Sequence, residues 1–176
     1  PGDEICLFGF SRGAYTVRST AGLIRKAGIL RKQHSSLLGD AFEIYRVPDK
    51  PGVKTPDTPD AIKFREDHSY DPVPIKCIGV WDTVGALGIP GNLPLRFITN
   101  RHQFHDVRLS SRVKFAFQAL AIDERRKVFE PAIWEQSDPA ADQVLEQVWF
   151  AGDHCDVGGG RSDHGLSNGV LAWMVD

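Results

Sequence analysis

The sequence is poor in the features that mark several functional classes. Its three cysteines, Cys6, Cys77 and Cys155, are widely spaced. Neither a disulfide framework nor a zinc-ligand pattern can be laid on them, which points to a reducing compartment or to no redox role. Positive charge is not in excess: 21 Lys and Arg stand against 23 Asp and Glu, a net charge of −2. The basic residues are dispersed apart from Arg25-Lys26 and Arg125-Arg126-Lys127, so there is no electrostatic footprint for nucleic acid. No stretch approaches the ~20 apolar residues of a membrane span, and no charged-then-apolar opening resembles a cleavable secretory signal. There is no internal repeat and no low-complexity tract. What remains is a chain of 176 residues, 41% hydrophobic, with enough material for one globular core and too little for two generous ones.

Residues 5 to 13, Ile-Cys-Leu-Phe-Gly-Phe-Ser-Arg-Gly, form an apolar run that ends in a G-x-S-x-G pentapeptide around Ser11. The run reads as a buried strand. From Ala14 onward, Ala14, Val17, Ala21 and Ile24 recur at helical spacing, with Gly28 as a stop. A strand before the serine and a helix after it are what a nucleophile elbow requires. Gly9 and Gly13 are expected to remove Cβ atoms that would collide across the strained turn. The backbone N–H of Arg12 is then expected to face a developing oxyanion.

Leu37 to Arg46 reads as a short helix. Residues 48 to 74 carry Pro48, Pro51, Pro56, Pro59, Pro72 and Pro74 and read as a long surface excursion, either a cover or a solvated linker. Ile75 to Trp81 reads as a second strand, ending at Asp82. A second excursion is expected at about 89 to 112. Val113 to Ile122 reads as a buried helix with Phe117 and Leu120 in the core. Gln147 to Ala151 is a third strand, leading into Gly152-Asp153-His154-Cys155-Asp156-Val157-Gly158-Gly159-Gly160, and Ser167 to Met174 closes the chain as an apolar helix.

Three strands therefore end in polar residues able to do chemistry: Ser11, Asp82 and His154. Working groups collect at the carboxyl ends of parallel strands, so the three can converge. The chain order Ser, Asp, His is that of α/β-hydrolases. Ser11 would attack an acyl carbon, His154 would move the proton, and Asp82 would fix the imidazole tautomer. Asp82 could instead cap its turn. Asp156 is the alternative acid, or else an anchor for its own loop. His102, His105 and His164 compete with His154. The glycines at 158 to 160 mark a close backbone approach to substrate or elbow. A second reading is a metal-assisted hydrolase built on Asp153, His154, Asp156 and Asp163. A third is a non-catalytic interaction domain on a retained hydrolase fold.

The strings GFSRGAYTVR, IGVWDTVGALGIP, ALAIDERRKVFEP and VWFAGDHCDVGGG, followed by LAWMV, resemble the DUF2235 family, which includes the Tle1-like type VI secretion phospholipase effectors. The resemblance spans nearly the whole chain. It implies an α/β-hydrolase catalytic domain: a mostly parallel sheet flanked by helices, with a triad on Ser11, Asp82 and His154. It also implies phospholipase A activity on membrane glycerophospholipids without a cofactor.

The implied partners are a lipid or small ester substrate, transient contact with a membrane surface, and a secretion-apparatus or immunity protein. The implied location is cytoplasmic, or delivered by a secretion system without a signal peptide. Two departures stand out. The early strand and Gly-Thr-Asn motif of the family are missing, so the 176 residues read as one incomplete domain lacking its amino-terminal strands and second oxyanion donor. Ala-Gly-Asp precedes His154, and a carboxylate at Asp153 would favour a protonated imidazole.

Overall fold

A computed structural model describes residues 2–47, 58–84, 109–136, 140 and 142–176. Its centre is a four-stranded parallel sheet built from β1 (Cys6–Phe10), β4 (Ile75–Trp81), β5 (Val113–Ala121) and β6 (Val144–Phe150), in that spatial order. Phe10 lies beside Trp81, Trp81 beside Ala119, and Ala121 beside Phe150, so all carboxyl ends open on one side. A short antiparallel pair, β2 (Ile29–Leu30) with β3 (Ser69–Tyr70), lies apart from it.

Side chains alternate across each strand and define two cores. Ile78 and Val80 of β4 pack with Ala14, Ala21 and Ile24 of helix α1 (Arg12–Ala27). On the other face, Ala119 and Ala121 meet Val157 and Val170, with Trp81, Phe150, Trp173 and Met174 around them. Val157 belongs to the short helix α4 (His154–Gly158) and Val170 to α5 (Gly165–Val175). A Cβ on Gly79 would lie 2.7 Å from the Phe8 ring and 2.8 Å from the Met174 sulfur, so glycine lets α5 approach the sheet closely.

The α/β architecture with helices flanking a parallel sheet matches the expectation, and β4 spans the residues read for it. Helix α2 (Leu38–Arg46) begins one residue later than expected. Two readings are corrected. The segment read as a helix from Val113 to Ile122 is a strand over Val113–Ala121. Flanked by β4 and β6 and covered on both faces, β5 is apolar along most of its length, which removes the alternation that would have marked it. The excursion at 48 to 74 contains helix α3 (Pro59–His68). Its start is encoded by Thr58, whose hydroxyl accepts from the Ala61 N–H at 3.2 Å, and by Pro59, whose fixed φ suits the first helical turn. Residues 48–57 and 85–108, with the first part of the excursion expected at 48 to 74, most of the one expected at 89 to 112, and His102 and His105, lie outside the described residues.

Candidate active site

β1 delivers Ser11 directly into α1. Ser11 has φ 59° and ψ −120°, a conformation that an L residue adopts only under constraint. Its N–H donates to the Trp81 carbonyl at 3.0 Å and its own carbonyl accepts from the Tyr15 N–H at 3.2 Å. A serine before a helix ordinarily caps it with its hydroxyl; here no such bond forms, so the hydroxyl is not used by the helix. Arg12 opens α1, so its N–H belongs to the first helical turn, which has no intrahelical acceptors and carries partial positive charge.

A Cβ on Gly9 would lie 2.5 Å from the Gly13 carbonyl oxygen and 2.7 Å from the Ala14 nitrogen, so strand and helix touch backbone to backbone. Gly13 does not carry the same constraint, contrary to the expectation. A Cβ there would meet nothing within 4 Å among the described residues, because it points away from the strand.

Asp82 follows β4 as Ser11 follows β1. Among the described residues these two are the non-glycine residues with positive φ, 59° at Ser11 and 40° at Asp82. Asp82 is 0% exposed. Its N–H donates to the Ala119 carbonyl at 2.8 Å, one carboxylate oxygen accepts from the Ala121 N–H at 3.2 Å, and the other lies 2.6 Å from Nδ1 of His154. The carboxylate thus serves the neighbouring strand end and an imidazole 72 residues away.

His154 is the first residue of α4 and is buried. Asp153 caps this helix, accepting from the N–H groups of Cys155 and Asp156 at 2.9 and 3.1 Å, while Asp156 accepts from the Asp153 N–H at 2.9 Å. This reciprocal box fixes the backbone that carries the imidazole. Asp156 thus bonds within its own loop, and Asp82 is the carboxylate in contact with the imidazole. Burial pushes the Asp153 carboxyl up, but these N–H groups and Arg161 outweigh it and hold it below its ordinary range. Arg161 pairs with both Asp153 and Asp156, so their charges are partly offset locally. Gly159, at φ 83°, ends the helix in the left-handed region, and the Gly160 N–H donates to the Cys155 carbonyl at 2.8 Å.

Gly158 makes the close approach. A Cβ on it would lie 2.2 Å from the Phe10 ring, and that ring sits 4.5 Å from the imidazole of His154. Through Phe10, the residue before Ser11, the elbow and the histidine meet.

The loop after β5 supplies partners that sequence reasoning missed. Asp123 and Gly152 exchange two hydrogen bonds, at 2.8 and 3.1 Å, tying the ends of β5 and β6 together. Glu124 accepts from the His154 backbone N–H at 3.4 Å, and Phe129 stacks on the imidazole at 4.7 Å with the planes 6° apart. The sequence signal for them is the string ALAIDERRKVFEP, which holds Asp123, Glu124 and Phe129.

The chain matches, over residues 1–176, the family described as the type VI secretion system phospholipase effector Tle1-like catalytic domain. The chain belongs to that family. This Tle1-like catalytic domain is also 31% identical, over 134 residues and 74% of its length, to the uncharacterized protein YEL023C of Saccharomyces cerevisiae. It spans 18% of the length of that curated relative.

In this Tle1-like domain the carboxylates offered for a metal have other work. Asp153 and Asp156 serve α4 and Arg161, and Asp163 accepts from the Gly165 N–H at 2.9 Å. Among the described residues, no three His, Cys, Asp or Glu side chains are grouped to hold an ion. His164 is exposed at the start of α5. With Ser167 and Asn168 it supplies polar lining to a concavity of about 340 Å³ that Trp81, Val157 and Leu171 also line. No helix among the described residues is long and apolar enough to cross a membrane.

Proposed function

We propose that this domain is a serine hydrolase that cleaves a carboxylic ester of a phospholipid through an acyl-enzyme on Ser11. The observation that carries the reading is the 2.6 Å contact between Nδ1 of His154 and the buried carboxylate of Asp82, each at the carboxyl end of the sheet that also presents Ser11. With Nδ1–H donated to Asp82, Nε2 is left with its lone pair. A serine hydroxyl, whose own pKa is far above neutrality, needs such a base.

Ser11 Oγ adds to the ester carbonyl as Nε2 takes its proton. The tetrahedral oxyanion is met by the Arg12 N–H, and the alkoxide leaving group takes the proton from Nε2 as the C–O bond breaks. Water then repeats the sequence on the acyl-enzyme, releasing the fatty acid and restoring Ser11. The apolar lining of Trp81, Val157 and Leu171, with Trp81 directly before Asp82, suits an acyl chain better than a polar substrate. The membership in a phospholipase effector family supports the same substrate class.

The test uses the full-length protein with a fluorophosphonate probe and phospholipid vesicles. Labelling should map to Ser11 and survive a chelator. Ser11→Ala should abolish labelling and lower release of fatty acid by at least ~10³-fold. A Ser11→Ala protein that hydrolyses the vesicles at the wild-type rate ends this reading.

A further inference from the structure

None of the three residues in the proposed mechanism comes from the segment between β5 and β6, yet that segment builds a wall against the imidazole. Phe129 closes a one-turn 3₁₀ helix, Lys127–Phe129, and its N–H donates to the Arg126 carbonyl at 2.8 Å. Its ring lies parallel to the His154 ring at 4.7 Å, and the Phe10 ring also packs on the imidazole, at 4.5 Å with a 34° tilt. The Arg126 guanidinium sits 3.9 Å from the centre of the Phe129 ring. Arg126 is held there by Glu124, Nε to one carboxylate oxygen at 2.8 Å and a terminal nitrogen to the other at 2.5 Å.

We propose that Phe129, in contact with the Arg126–Glu124 pair, is a positioning residue for the base: with Phe10 it clamps the imidazole between two ring contacts and keeps Nε2 aimed through both proton transfers. The proposal rests on the serine-hydrolase reading above. A single hydrogen bond at Nδ1 tolerates tilts of tens of degrees without breaking. A tilt of the ring swings Nε2, on its far side, away from the hydroxyl, and a small misplacement costs much of the rate. Two ring contacts remove that freedom and bring no polar atom to compete for Nε2.

The clamp also sets the charge balance. Phenyl faces favour an imidazolium between them; Arg126 beside Phe129 opposes it, and Glu124 offsets Arg126. Among the described residues, the other charged or titratable groups near His154 are Asp82 at Nδ1 and, on its own helix and loop, Cys155 and the Asp153 and Asp156 carboxylates, which share Arg161. Hydrogen bonding from Arg126 holds Glu124 down to about 2, so the pair stays ionised wherever the enzyme works.

The test measures kcat, KM and the pH profile of the full-length protein on p-nitrophenyl butyrate. Phe129→Leu should lower kcat about tenfold with KM within about twofold, and Phe129→Tyr, which keeps the ring, should recover most of it. Arg126→Gln leaves the Glu124 charge unmatched and should move the acid limb of kcat to higher pH. Glu124→Gln leaves Arg126 unmatched and should move it to lower pH, each by a few tenths of a unit because Arg126 is half exposed. A merely structural role would not move the limb in opposite directions.

Wild-type kcat and pH profile in Phe129→Leu, with Ser11→Ala inactive, overturn the clamp and leave the serine mechanism standing. An active Ser11→Ala overturns that mechanism and the clamp with it. If Phe129→Leu does not fold, the two charge variants decide, and limbs that move together or not at all overturn the proposal.

Discussion

The two ends of the parallel sheet each hold an aspartate with partners, and they are built to opposite ends. At the carboxyl end, Asp82 is fully buried, has positive φ, and faces an imidazole whose charge changes with its proton. At the amino end, Asp71 precedes β4 and is gripped by two guanidinium groups, Arg65 of α3 at 3.3 Å and Arg112 just before β5. Arg65 also donates to the Lys26 carbonyl at 2.9 Å, locking α3 to α1. The Asp71 site is closed: two permanent cations hold one carboxylate. The Asp82 site differs, because its side-chain partner is an imidazole and not a permanent cation. Strain and a partner without permanent charge sit at one end of the sheet, and satisfied structural pairing at the other.

The sharpest break of this contrast is Asp82→Asn. The amide keeps the shape but presents either a donor or a neutral acceptor to Nδ1, which releases the tautomer and stops stabilising the imidazolium. Activity on a soluble ester should fall by ~10³ to 10⁴-fold, with a native circular dichroism spectrum retained. Asp71→Asn should leave kcat within about twofold of wild type. A comparable loss of activity in both variants would erase the distinction between the two ends.

Glycines of the elbow sharpen the contrast within the carboxyl end. Gly9→Ala drives a Cβ to 2.5 Å from the Gly13 carbonyl, a backbone atom that cannot rotate away. Overpacking of this kind costs about 1–3 kcal/mol and should displace Ser11, so both melting temperature and fluorophosphonate labelling should drop. Gly13→Ala, with open space at its Cβ and helical backbone around it, should be neutral or slightly stabilising. Equal effects of the two substitutions would mean that the close approach lies elsewhere.

How much of this could be read from the sequence depends on how local each feature is. β4 was legible because Pro74 bounds one end and Asp82 the other, and α1 because its apolar stripe and Gly28 stop are local patterns. β5 was not, because a central parallel strand loses its alternation, and apolar periodicity alone cannot separate it from a buried helix. At the site, the three strand-end residues could be named in order, with Asp82 as the acid and Asp156 as the alternative to it or else an anchor of its own loop. The fold separates them: Asp156 is turned to its own helix N-terminus, while Asp82 meets His154 across the sheet. Phe129 and Glu124 were invisible, since their contacts with His154 span 25 and 30 residues and leave no periodic trace.

The smallest expected effect is the pH dependence at the closed end. Burial pushes the Asp71 carboxyl up, but hydrogen bonding and charge from Arg112, with Arg65 beside it, outweigh burial and hold it below its ordinary value. A carboxylate with a lowered folded pKa stabilises the protein above its unfolded pKa, near 4, and that contribution disappears as pH falls through the folded value. Wild type should therefore exceed Asp71→Asn in stability at neutral pH by about 1 kcal/mol, a modest figure because Asp71 is a quarter exposed and its partners are partly screened. The two unfolding curves should converge as pH drops below 4. The same urea titrations on Asp82→Asn test the other half of the contrast. A gap that widens towards acid pH, or one that is independent of pH, would show that Asp71 does not act through its ionised pair with the two arginines, and the closed end would need another account.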